Sequence, residues 1–265
     1  MPLLSPESLA RTYNPPIERD VWNHVQLYRQ TQRYPDDWGG ARVSSAINTD
    51  DEQPFEGLSR SNVRAWVDGD GMPDAARAVE VADGLGWLAN EWTPTTRALA
   101  QLVAGIFACG SVDRRGWLPG WAVERVSSEL EAALDQVGVG HQWVARETNS
   151  QADELRPAAH GSILGRALVV AGVSVGDKTA ATVRSLPDWL DGAPPSVRAS
   201  FAELLVAERG SERPGKATLA IQANRSRQYF EDVRGLLEDV TGESVTASDA
   251  GVTISADAVR ALGLA

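Results

Sequence analysis

The feature that most constrains this chain is a pair of alike segments in its C-terminal part. One is Ala98-Leu-Ala-Gln-Leu-Val-Ala-Gly-Ile-Phe-Ala-Cys-Gly-Ser111. The other is Val197-Arg-Ala-Ser-Phe-Ala-Glu-Leu-Leu-Val-Ala-Glu-Arg-Gly-Ser211. Both are rich in small and aliphatic residues at helical spacing, and both end in Gly-Ser. Each is followed by a strand region, an amphipathic helix and more strand. Self-similarity of this kind means one supersecondary unit used twice. The plainer alternative makes Ala98–Ser111 an ordinary core helix.

Ahead of this repeat the pattern is helical throughout. Residues 1–19 contain Ser and Pro and are weakly patterned, which predicts an extended arm. Asp20 is an N-cap candidate, with Val21, Trp22, Val25 and Tyr28 at three- and four-residue spacing and Pro35 as the stop. A second short helix runs over 38–47 with Val43, Ala46 and Ile47 inward. An acidic, turn-rich loop covers 48–57. A third helix covers 58–67, capped by Ser59, with Val63, Trp66 and Val67 inward. A fourth covers 74–85 through Ala75, Ala78, Val79 and Ala82. The expected domains are the arm 1–19, an all-α domain over 20–92, and a mixed domain over 93–265 with halves of about 93–172 and 173–265. The fold class is α+β.

Composition bounds the function. The chain has 265 residues, 43% of them apolar, enough to fill the cores of two domains. No run of about 18 apolar residues exists, so no membrane partner is expected. The start lacks a basic region and an apolar stretch of the signal-peptide kind, which predicts a cytoplasmic protein. Cys109 is the single cysteine, and His24, His141 and His160 show no ligand spacing, so no metal and no cofactor is expected. The net charge is -11, and lysine occurs only at Lys178 and Lys216. An acidic surface almost without lysine fits a salt-rich, halophilic cytosol. Such a charge opposes nucleic acid at long range. In high salt that range shrinks to a few ångströms, so local arginine placement decides.

Three short helices, the last free of acids between Leu58 and Val67, suit a helix-turn-helix. Arg60, Ser61, Asn62 and Arg64 then form the exposed face of the recognition helix, with Arg42 nearby on the preceding helix. Arg pairs guanine O6 and N7, and Asn pairs adenine N6 and N7. A helical bundle with a solvated polar face would give the same pattern. The run SRSNVRAWVDG…MPDAARAVEVADGLGWL resembles the helix-turn-helix region of archaeal, especially haloarchaeal, regulators.

The paired segments resemble the signature helices of the LAGLIDADG family, which pack at a pseudo-twofold axis. Ser174-Val-Gly-Asp-Lys-Thr179 and Leu186-Pro-Asp-Trp-Leu190 resemble the segments that precede its second signature. Gln228–Glu238 resembles its amphipathic helix, and Val252-Thr-Ile-Ser255 its closing strand. The resemblance implies an αββαββα repeat folded as a saddle, with small residues where the two helices approach. It also implies double-stranded DNA as partner and a monomer that satisfies its twofold internally. Nucleases of the family hold divalent metals with an acid just before each signature Gly. Here Cys109 and Arg209 stand there, and a one-residue slip in the first half would put Gly110 instead. No choice supplies a carboxylate, so no catalytic residue is expected.

Positive residues after each signature are the DNA-contact candidates: Arg114 and Arg115, then Arg209, Arg213 and Lys216. Asn224, Arg225 and Arg227 form a further cluster. The expectation is a sequence-specific DNA-binding regulator that does not cleave. An active endonuclease using Asp113 or Glu208 is one alternative, and a protein-interaction scaffold is another.

Overall fold

Helices α6 (Pro94–Ala108) and α9 (Pro195–Arg209) begin alike, each with Pro in its first turn. There the missing N–H has no partner to lose and φ is already helical. The Thr93 hydroxyl caps α6 by accepting the Thr96 N–H at 3.2 Å. Both helices end in a last-turn hydrogen bond, Cys109 N–H to the Gly105 carbonyl and Gly210 N–H to that of Val206.

The computed structural model describes residues 3–13, 20–49, 60–69, 71–145, 153–213 and 215–264. Two compact units make up the chain, Ser5–Gly84 and Leu85–Ala265 with Met1–Leu4. The segment after Gly84 belongs to the second unit because Trp87 is fully buried there. Its indole N–H donates to the Val137 carbonyl at 2.8 Å.

In the second unit, β1 (Gly110–Val112) pairs with β2 (Pro119–Trp121), Ser111 opposite Gly120. The same pairing recurs in β5 (Ser211–Arg213) and β6 (Lys216–Gln222), Ser211 opposite Ala220. In the first half α7 (Ser127–Gln136), β3 (His141–Val144), β4 (Glu154–Pro157) and α8 (Gly161–Val170) follow. In the second, α10 (Arg227–Thr241), β7 (Val245–Ser248), β8 (Gly251–Ile254) and α11 (Ala256–Ala261) follow. Each half is thus helix, two strands, helix, two strands, helix. The two antiparallel four-stranded sheets have matching orders, β1-β2-β4-β3 and β5-β6-β8-β7. The protein is α+β, with eleven helices among the described residues.

Helices α6 and α9 pack side by side. Phe107 and Phe201 meet at 6.0 Å, and Gln101 donates to the Ser200 hydroxyl at 3.0 Å. Small residues were expected at this contact, but Gly105 serves the other side of α6. A Cβ there would come within 2.8 Å of the buried Trp121 indole and the Leu130 side chain. Gly110 likewise makes room for Trp121. The glycines therefore seat a strand tryptophan against α6.

In the first unit the predicted extended arm contains a short helix, α1 (Pro6–Ala10), which buries Leu9 and Ala10. The Ser5 hydroxyl accepts the Ser8 N–H at 3.1 Å, and Pro6 opens the turn. Helix α2 (Val21–Thr31) is capped by Asp20, which accepts the Trp22 N–H at 2.8 Å. Helices α3 (Gly40–Asn48), α4 (Arg60–Val67) and α5 (Asp74–Gly84) follow. Leu27, Val43 and Ile47 form a core, with Tyr34, Trp38, Trp66 and Val67 against it. Trp66 stands edge-on to His24 at 4.9 Å and to Tyr28 at 5.9 Å. The expected cap Ser59 and residues 50–57 of the acidic loop lie outside the described residues.

Candidate nucleic-acid interface

The C-terminal ends of α6 and α9 carry carbonyls without intrahelical partners and the negative end of each helix dipole. The repeat register makes Cys109 equivalent to Arg209 and Ala108 to Glu208. Both ends are met by cations of this chain. Lys178 Nζ donates to the Ile106 carbonyl at 2.7 Å. Arg125 Nη1 donates to the Ala207 and Gly210 carbonyls at 2.9 and 3.2 Å. Glu208 is committed elsewhere: its carboxylate accepts the N–H groups of Arg125 and Val126 at 2.7 Å each and of Glu124 at 3.3 Å. It therefore caps the start of α7, which has no side-chain cap of its own.

Burial pushes the Cys109 thiol up to about 12, with Glu208 adding to the rise and Lys178 and Arg209 opposing it. The thiol is neutral at physiological pH. Burial drives Lys178 down to about 7, helped by repulsion from Arg209 and Arg225. Burial also lowers the Arg225 guanidinium. Among the described residues no group of three His, Cys, Asp or Glu side chains is placed to hold a metal ion. A neutral thiol and a guanidinium do not fit the hard divalent ions that require oxygen ligands.

No family model and no curated protein matches the chain.

The predicted contact residues separate into several groups. Arg114 and Arg115 are exposed in the β1–β2 turn. Asp113 builds that turn, accepting the N–H groups of Arg115 and Gly116 at 2.8 Å each. Those bonds hold its carboxyl below the usual range. Arg209 is half-buried and makes no hydrogen bond or ion pair with the described residues. Arg213 lies on β5, and its side chain lies outside the described residues. Lys216 is exposed at the start of β6.

The turn cluster before α10 does not form as expected. Asn224 is exposed, but Arg225 is only 9% exposed. Arg225 donates to the Lys178 carbonyl, and to that of Asn224 at 2.9 Å. Arg227 is exposed but paired with Glu231, and with Asp249 at 3.2 Å. Sequence clustering missed both partners because they lie along α10 and beyond β7.

In the first unit, Arg60, Ser61 and Arg64 are exposed on α4, and Asn62 is half-buried. Both arginines lie 3.9 Å from Asp68. Asp68 also accepts the Gly40 N–H at 2.7 Å and so caps α3. Arg42 is exposed and stacks over Trp38 at 3.8 Å, and Trp38 in turn stacks on Tyr34 at 5.4 Å.

Sequence reasoning missed two features. One is Lys178, quoted only for its surrounding motif. The other is the outward side of the second sheet. Ile221 is buried with Val252 and Ile254, and the half-buried Leu219 shares their face. Lys216, Thr218, Ala220 and Gln222 line the opposite face, exposed at Lys216 and Gln222 but buried at Ala220, with Ser211, Thr246 and Thr253 across the ladder. The period of two in Lys216-Ala-Thr-Leu-Ala-Ile-Gln222 carries that signal. The first sheet differs: Gly120 lies beneath the Glu154 carboxylate, which Arg156 Nε approaches at 2.8 Å.

Proposed function

We propose that the protein is a sequence-specific binder of double-stranded DNA, a transcriptional regulator whose C-terminal unit is a LAGLIDADG-like saddle without nuclease activity. The observation that carries this reading is the pair of equivalent helix ends. Two repeats of the same order bring α6 and α9 together, and the residues before Gly110 and Gly210 are a neutral thiol and a guanidinium. Lys178 and Arg125 satisfy the carbonyls nearby. Asp113 and Glu208, the acids an active endonuclease would need, are both occupied by backbone N–H groups.

In this reading α4 is the recognition helix, with Arg60, Ser61, Asn62 and Arg64 towards base edges and Arg42 towards phosphate. Arg114, Arg115 and Lys216, with the Ser/Thr/Gln side of the second sheet, take the backbone and grooves under the saddle. Arg225 and Arg227 support the fold instead of touching DNA. The protein acts as a monomer in a salt-rich cytoplasm. Scaffolding of a basic protein partner is the second reading. It is favoured by a groove lined by Asp188, Asp191, Glu231, Asp232 and Asp239, with Arg198 paired to Asp239 at 2.7 Å.

Incubation with fragmented genomic DNA in molar KCl with Mg²⁺, followed by sequencing of retained fragments and their ends, tests this. An enriched motif with intact ends is expected. New ends at a fixed position would mean a nuclease, and no enrichment would favour the scaffold.

A further inference from the structure

We propose that the groove between residues 185–191 and α10 docks a basic amphipathic helix of a partner protein, one that carries Arg or Lys beside aliphatic anchors. This names the class of partner in the scaffold reading, and it holds equally for a protein that binds DNA. The groove has a volume of about 580 Å³. One wall is α10. Its lining positions, Gln228, Glu231, Asp232, Gly235, Leu236 and Asp239, are three and four residues apart. A single face of α10 therefore lies open over three turns, about 16 Å. Leu186, Leu190 and Leu236 are buried and give the groove an apolar floor.

Gly235 stands in the middle of this face. Gly105 and Gly165, also inside helices, each make room for a packed neighbour, the Trp121 ring and the Trp117 carbonyl. At Gly235 no described atom lies within 4 Å of the place a Cβ would take. Glycine weakens a helix interior, and no packing among the described residues accounts for it here. A helix laid along α10 would use the gap, because helices approach more closely where contact side chains are small. The rim sets the charge of the occupant. Five carboxylates line the groove against one guanidinium, Arg198, which pairs with Asp239 at 2.7 Å. Glu231 meets Arg227 and Arg234 along α10. Asp232 accepts the Leu186 N–H at 2.9 Å and the Gln228 amide at 2.7 Å. Asp188 and Asp191 are exposed and make no hydrogen bond or ion pair with the described residues. Charge complementarity selects a cationic helix, and the floor selects one with aliphatic side chains at helical spacing.

The probe is a fluorescein-labelled synthetic helix of about twelve residues, with Leu along one stripe and Arg on its flanks. One counterpart carries Glu for Arg, and another carries Ser for Leu. Anisotropy with the full-length protein at low salt, without DNA, reads binding. The Arg–Leu peptide is expected to bind, and each counterpart about tenfold more weakly or worse. Gly235→Leu fills the groove while favouring the helix, and should weaken binding by about tenfold in a protein whose circular dichroism is native. Asp188→Asn with Asp191→Asn should weaken it several-fold. Removal of two exposed acids elsewhere, Asp83→Asn with Glu91→Gln, should leave it unchanged. Equal losses in the two acid pairs mean general attraction to a chain of net charge -11 and overturn the site. A Gly235→Leu protein that binds as the native one does overturns it too, as does an Arg–Leu peptide that fails to bind. Equal binding of the Ser counterpart, or displacement of the peptide by spermidine at matching concentration, means a site for small cations and overturns the helix partner. None of these outcomes bears on DNA binding, which the enrichment of genomic fragments tests by itself.

Discussion

Asp68 shows how one side chain couples stability to recognition. Its carboxylate caps α3 through Gly40 and lies between Arg60 and Arg64. Asp68→Ala should cost about 1–2 kcal/mol in chemical denaturation, the usual worth of a cap. The same change frees two arginines on the proposed recognition face, so DNA affinity at low salt should rise and its salt slope steepen. A loss of affinity in a folded variant would count against α4 as the reading helix. Arg64→Ala should weaken binding to the enriched motif by about 1–3 kcal/mol if it pairs a base. Competition between motif and random duplex would detect this. Lys178 makes a pH prediction. Its folded pKa lies near 7 against an ordinary 10.5, so between those values the unfolded chain binds a proton that the folded chain does not. Stability from this group therefore rises from pH 7 to 10 and is lost on acidification. Urea midpoints should climb over that range in the native protein and climb less in Lys178→Met.

At the scale of elements, the helix ends are where this fold is tied together. Glu208 at the end of α9 fastens the start of α7 in the other half, and Arg125 from that segment fastens α9 in return. Glu208→Ala should cost about 1–3 kcal/mol, because three amide N–H groups lose a charged acceptor that water only partly replaces. Hydrogen exchange at residues 124–126 should accelerate in that variant. Helix α8 meets the β1–β2 connection at Gly165, where a Cβ would overlap the Trp117 carbonyl. Trp117 itself holds φ at 57°, with Arg166 over its ring at 4.3 Å. Gly165→Ala should lower the melting temperature through about 1–3 kcal/mol of overpacking. These contacts join residues distant in sequence, and no local pattern announces them. The longer helices α2, α5, α6, α9 and α10 were legible, because their capping residues and apolar spacing are local, whereas the five-residue α1 was read as part of an extended arm. The strands β1 and β2 have three residues each, too few for alternation to register.

For the molecule as a whole, what the sequence by itself determined is the α+β class, the doubled unit and the absence of carboxylates before Gly110 and Gly210. Each depends on local composition, periodicity or residue identity, which the chain carries in plain order. The tertiary structure alone decided how charge is distributed. Arg225 and Arg227 flank Ser226 in turn-like sequence, yet one is buried against carbonyls and the other ion-paired across to Asp249. Lys178 lies about seventy residues from α6 in the chain, yet folding brings its ammonium to the Ile106 carbonyl near the end of that helix. The alternation along Lys216–Gln222 gains its two faces only once β8 pairs with β6. The physical reason is one of range. Helix caps and apolar spacing act over a few residues, whereas burial, ion pairing and repulsion depend on neighbours in space that chain order does not name.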